Sequence, residues 1–170
     1  MKTSNVQSSY KALIASLSES LKVAGFLRRA NTFTFSYGNN VGIIEFQRSV
    51  KSSREAILFT VNVGVVLGDL LEGGLSFVRK DSILNAHLRQ RIGALLPERA
   101  DKWWLLTEDT DRAGLHKEVS DLLTQFGVPF LKRYLITSEV VALWESGKCP
   151  GLTEKARIRF LAKLKEKQKI

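Results

Sequence analysis

Apolar residues recur at spacings of three and four near the start of the chain: Tyr10, Leu13, Ile14, Leu17, Leu21 and Ala24. This period marks a helix with one buried face, and it predicts a helix from about Asn5 to Ala24. Ser4 or Asn5 can cap its start, and Gly25 can end it in a left-handed conformation. The period then changes to two. Thr32, Thr34 and Ser36 alternate with Phe33, Phe35 and Tyr37, as expected of a strand with two unlike faces. Gly38-Asn39-Asn40 supplies turn residues, Val41 to Arg48 makes a second strand and Ala56 to Leu67 a third. Between them, Ser49 to Glu55 is polar and reads as a loop. Glu72-Gly73-Gly74 breaks the pattern, and the stretch to Asn85 reads as a loop with a short helical turn. His87 to Leu95 is expected to be a fourth strand, and Lys102 to Thr107 a short fifth.

The last third has helical spacing. Leu115, Val119, Leu122, Leu123 and Phe126 mark a helix that Gly127 can stop. Pro129 suits the first turn of another, running to about Tyr134. Ser138 can cap a third and Thr153 a fourth. A helix, then strands joined by tight turns, then helices implies an α+β fold. The expected architecture is an antiparallel sheet of about five strands, packed by the N-terminal helix, with a helical C-terminal third. One domain is expected over residues 1–152, followed by a basic C-terminal helix or tail over 153–170.

Alternation also assigns the faces of the sheet. Phe33, Phe35, Ile44, Phe46, Ile57, Phe59, Val61, Val63, Leu88 and Ile92 form an apolar face for the first helix. Thr32, Thr34, Ser36, Glu45, Gln47, Thr60, Asn62, His87, Arg89 and Arg91 form the other. That second face carries amides, hydroxyls, a carboxylate, an imidazole and two guanidinium groups, enough to grip an anion, a nucleotide or a polypeptide. It is equally the solvated face that many antiparallel sheets possess.

Charge changes the picture at one end only. The net charge is +9, which invites a nucleic-acid or membrane-surface reading. The segment from Lys155 to Ile170 holds seven basic residues and one acidic one, +6 of that total, so the rest of the chain carries only +3. Lys155, Arg157, Arg159, Lys163, Lys165 and Lys167 are therefore the candidate contacts to phosphates or to an acidic partner. With 44% hydrophobic residues, the 170-residue chain can bury a core without staples. A single cysteine, Cys149, excludes an internal disulfide and fits a reducing cytoplasm. No secretory signal and no membrane span of about 20 apolar residues is read.

Catalytic chemistry has thin support. The two histidines, His87 and His116, fall in different elements with no HxxxH or Cys/His spacing, so neither a metal nor another cofactor is expected. His87 with Glu45 is the one weak acid–base pair. Glu108, Asp109 and Asp111 can bind a divalent cation through oxygen, but they also suit the start of the helix that follows. Trp103-Trp104 places two large rings on opposite sides of a strand, one for the core and one for a stacking platform or interface anchor.

Six short pieces in order resemble a known family: Gly25-Phe26-Leu27-Arg28-Arg29 with Thr32-Phe33, Phe46-Gln47-Arg48-Ser49, Phe59-Thr60-Val61-Asn62-Val63-Gly64, Arg91-Ile92-Gly93, and Asp101-Lys102-Trp103-Trp104. Together they resemble the bacterial domain of unknown function 4304 family over about Ser8 to Phe130. The resemblance implies a small cytoplasmic α+β domain and supplies no activity. Small families of this kind are associated with toxin–antitoxin, immunity and phage-defence genes.

The leading expectation is a non-enzymatic binding protein, an immunity- or defence-associated factor, that recognises another protein through Gln47, Asn62, His87, Arg89, Arg91, Trp103 and Trp104. The alternatives are a nucleic-acid-binding accessory protein using the basic C-terminal helix, and an enzyme acting on a phosphorylated or nucleotide ligand.

Overall fold

The computed structural model describes residues 5–74 and 82–168; Ser4 and Lys169 lie outside them. Helix α1 spans Asn5–Val23, and its buried stripe is Val6, Tyr10, Leu13, Ile14, Leu17 and Leu21. It ends as expected. Gly25 adopts φ +95°, Phe26 N–H donates to the Leu21 carbonyl and Gly25 N–H to that of Lys22, so the last carbonyls of the helix are satisfied.

Among the described residues the sheet has six antiparallel strands: β1 (Leu27–Arg29), β2 (Thr32–Tyr37), β3 (Asn40–Arg48), β4 (Ile57–Leu67), β5 (Leu88–Arg91) and β6 (Trp104–Leu106). The order is β1-β2-β3-β4-β5, with β6 also paired to β4. Strand β1 was not anticipated. It is three exposed residues long, and Ala30-Asn31 returns it to β2 with Ala30 at φ +54°. The expected strand from His87 to Leu95 is shorter. It starts at Leu88, stops at Arg91 and tightens into a 3₁₀ turn over Ile92–Leu95.

The helical third is more continuous than the glycine and proline positions suggested. Helix α2 (Arg112–Leu122) leads through a wide π turn at Leu123–Gly127 directly into α3 (Val128–Tyr134). Gly127 does not stop the helix; its φ is −66°. A β-carbon there would lie 3.2 Å from Leu123, 3.3 Å from Ile92 and 3.6 Å from Val63, so glycine lets the helix approach the sheet closely. Ser138 is not a cap. Helix α4 (Thr137–Glu145) starts after Ile136 with no side-chain cap. Buried Asn40 ties this junction to β3, donating to the Leu135 carbonyl at 2.8 Å and to Thr137 Oγ1 at 2.9 Å. Helix α5 spans Glu154–Gln168, and Thr153 caps it through a bond from Ala156 N–H at 3.2 Å.

The main core lies between the apolar sheet face and the helices. Phe33, Ile44, Phe46, Phe59, Val61, Val63, Leu88 and Ile92 are buried there with Leu17, Leu131, Val140 and Trp144. A smaller cluster lies on the opposite face, where Val41, Ile43 and Val66 are covered by Ile83 and Ala86. The polar face is thus half closed. Gly64 permits this, because a β-carbon there would stand 2.6 Å from Ile83 Cδ1 and 2.8 Å from Ala86 Cβ.

Candidate functional site

The open half of that face is a groove of about 530 Å³. Its floor comes from β3 and β4. Glu45 pairs with Asn62 across the ladder and Gln47 with Thr60, so Glu45, Gln47 and Asn62 project to one side. One wall is Arg89, Gln90 and Arg91 of β5, and the other is Ser82, Ile83 and Leu84. Gly151 closes the edge, packed so tightly on Arg89 that a β-carbon would fall 2.7 Å from the Arg89 carbonyl oxygen.

Within the groove the amides are ordered. Asn62 Nδ2 donates to Gln47 Oε1 at 2.8 Å and, more weakly, to Glu45 Oε1 at 3.5 Å. The Gln47 amide group keeps its own two N–H donors, since only its oxygen is used in that bond. Arg89 is exposed and has no carboxylate partner among the described residues. Arg91 is committed elsewhere. Its guanidinium pairs with Asp101 at 2.7 Å and lies 5.1 Å from the centre of the Trp103 ring. Trp103 Nε1 donates to the same Asp101 carboxylate at 3.0 Å. One face of the indole is therefore covered by Arg91 rather than open as a platform.

Two residues expected on this surface lie away from it. Trp104 is in the core, stacked 5.4 Å from Phe59. His87 precedes β5, so strand alternation does not carry to it. It is only 7% exposed, its ring meets Phe160 edge-on, and its Nδ1 accepts the Leu67 N–H at 3.1 Å. Burial, with Lys163 nearby, lowers its pKa from 6.5 to about 4. Glu45 lines the groove and His87 does not, so the two do not form an acid–base pair there. Thr60 is also buried, donating to the Lys102 carbonyl at 2.7 Å.

The basic C-terminal helix is docked on the domain. Leu164 is buried in the main core, and Phe160 and Leu161 pack against it. Arg157 donates to the Trp144 carbonyl and to Glu154, Lys163 to the Leu70 carbonyl at 3.2 Å, and Lys165 pairs with Glu145 at 2.5 Å. The Arg159 guanidinium lies 4.9 Å from the Phe160 ring centre. Lys155 and Lys167 are exposed and make no such contact among the described residues, and Arg159 and Lys165 are exposed as well.

Asp111 does what a helix start requires, accepting Gly114 N–H at 3.1 Å. Among the described residues no group of three or more His, Cys, Asp or Glu could hold a metal, and no helix is long and apolar enough to cross a membrane. Ser82, Ile83, Leu84 and Gly151 were not anticipated as groove residues. The signal was the apolar trio Val41, Ile43 and Val66 at polar-face positions, which required a cover.

The family model described as Domain of unknown function (DUF4304) matches residues 17–133, and the chain belongs to that family. The match contains the whole sheet and ends within α3, before α4 and α5. No curated protein and no solved structure matches the chain.

Proposed function

We propose that this member of the family is a binding protein that receives a polar segment of a protein partner in the groove on β3, β4 and β5. The observation that carries this reading is the exposed Arg89 guanidinium, without a carboxylate partner among the described residues, beside the ordered Asn62–Gln47 amide pair in one open cleft. Arg89 offers a charge-assisted, two-pronged contact to a carboxylate. The Gln47 N–H groups, unused among the described residues, meet backbone carbonyls of the partner, and exposed Leu84 supplies an apolar contact at the rim. Glu45 opposes a second acidic group, which sets the register of the bound segment. Among the described residues no hydrogen bond links the groove's hydroxyl, Ser82, to its carboxylate, Glu45, and the ordered amides favour binding over turnover.

The test is affinity capture with the intact chain and with the Arg89→Ala/Gln47→Ala double variant. Loss of a reproducibly captured protein in the double variant is expected, with retention in Lys155→Gln/Lys167→Gln. The same partners captured by both double variants would remove the groove from the reading.

A further inference from the structure

A second cavity lies on the other side of the sheet, independent of the groove. Register places Arg28 opposite Phe33 and Arg48 opposite Phe59. Both arginines thus project to the apolar face, at the rim where α1 crosses. Lys11 of α1 joins them, and the three cations line a cavity of about 460 Å³ whose described lining residues include no carboxylate. None of the three pairs with a described carboxylate. Three like charges around so small a space repel one another, and an anion between them relieves that repulsion.

The donors are held in place and only partly used. Arg28 Nε donates to the Ala30 carbonyl at 2.9 Å, where the chain turns through its positive φ. Arg48 Nη1 donates to Gln7 Oε1 at 2.9 Å, with its guanidinium carbon 5.8 Å from the centre of the Tyr10 ring. A guanidinium has five N–H donors and an ammonium three, so most remain available at each head group. Tyr10, Ile14 and Ala30 give the cavity an apolar wall, and the amide side chains of Gln7 and Asn31 complete its described lining. The Tyr10 hydroxyl is buried and has no hydrogen-bond partner among the described residues. It is a spare donor in the wall of a cationic cavity.

We infer that this cavity is a binding site for a small organic phosphate of nucleoside-monophosphate size. Three cationic groups match a phosphomonoester, which carries nearly two negative charges and three acceptor oxygens, better than a single carboxylate. The apolar wall takes the flat, uncharged part of the ligand. A volume of about 460 Å³ falls within the range of small-molecule sites.

Titration calorimetry of the intact chain with adenosine monophosphate, inorganic phosphate and adenosine tests this at low ionic strength. Saturable binding of the monophosphate is expected, tighter than that of phosphate, with adenosine weakest. Lys11→Gln/Arg28→Gln, checked for an unchanged thermal melt, is expected to weaken it by about tenfold or more, the effect of losing charge-assisted contacts. Arg89→Gln, in the groove, is expected to leave it within twofold. Absence of saturable binding at millimolar monophosphate would overturn the inference. So would equal affinity for phosphate and monophosphate, or equal weakening by Arg89→Gln.

Discussion

Asn62 and Gln47 are joined diagonally across the β3–β4 pair, 2.8 Å from amide nitrogen to amide oxygen, although Asn62 stands opposite Glu45 and Gln47 opposite Thr60. The diagonal bond fixes which end of each amide faces the groove. Replacing either residue by alanine breaks it, so the two losses should not add. A double-mutant cycle of Gln47→Ala and Asn62→Ala, measured by urea unfolding, is expected to give a coupling of about 0.5–1.5 kcal/mol. A coupling of zero would mean that the pair does not organise the floor.

Gly64 holds the groove wall against the sheet. Its missing β-carbon would stand 2.6 Å from Ile83, 2.8 Å from Ala86 and 3.1 Å from the Leu88 carbonyl oxygen. Two of these neighbours are a backbone oxygen and a β-carbon, which cannot move without moving the chain. Gly64→Ala is expected to destabilise the protein by about 1–3 kcal/mol through overpacking. It should also raise amide hydrogen exchange over residues 82–86. Wild-type exchange there would show that the wall does not depend on this contact.

Most of the fold was readable because it depends on local periodicity. The alternation of threonine and phenylalanine set β2 at its observed ends, and the helical stripe set α1 almost to the residue. Where tertiary contact decided, local signals misled. Gly127 reads as a stop, yet it is a helical residue pressed between Ile92 and Val63. His87 shares sequence parity with Arg89, yet it lies outside the strand and under Phe160. The groove floor of Glu45, Gln47 and Asn62 was legible from period two. So were Arg89 and Arg91 of one wall, whereas the other wall and the edge were not, because residues 82–84 and 151 reach the groove from segments with no periodicity of their own.

The buried imidazole should make stability depend on pH. His87 titrates near pH 4 when folded and near 6.5 when unfolded. The unfolded chain therefore binds its proton first as pH falls. The neutral ring's contribution is fully present above about pH 6.5 and is lost as pH drops towards 4. The full span corresponds to a loss on the order of 3 kcal/mol. Carboxylates also titrate at the acid end, so the diagnostic quantity is the difference from His87→Gln, which keeps an acceptor for the Leu67 N–H. Urea unfolding from pH 7.5 to 4.5 should show the wild type losing stability faster than the variant. Parallel curves would place the histidine in a solvated environment.

Helix α5 offers the sharpest choice between a charged appendage and part of the domain. As an appendage it would contribute charge and little else, so changes to its apolar positions would cost almost nothing. Leu164, however, is 1% exposed within the main core, and Phe160 stacks with Trp144 and meets His87. Leu164→Ala is therefore expected to cost about 2–5 kcal/mol, the usual range for truncating a buried leucine. Lys155→Gln/Lys167→Gln removes two exposed charges and should change stability by less than about 0.5 kcal/mol. Thermal or urea unfolding of both variants separates the two possibilities. If Leu164→Ala unfolds at the wild-type midpoint, α5 is not packed on the domain in solution. Its six described cations would then all be free for a polyanion.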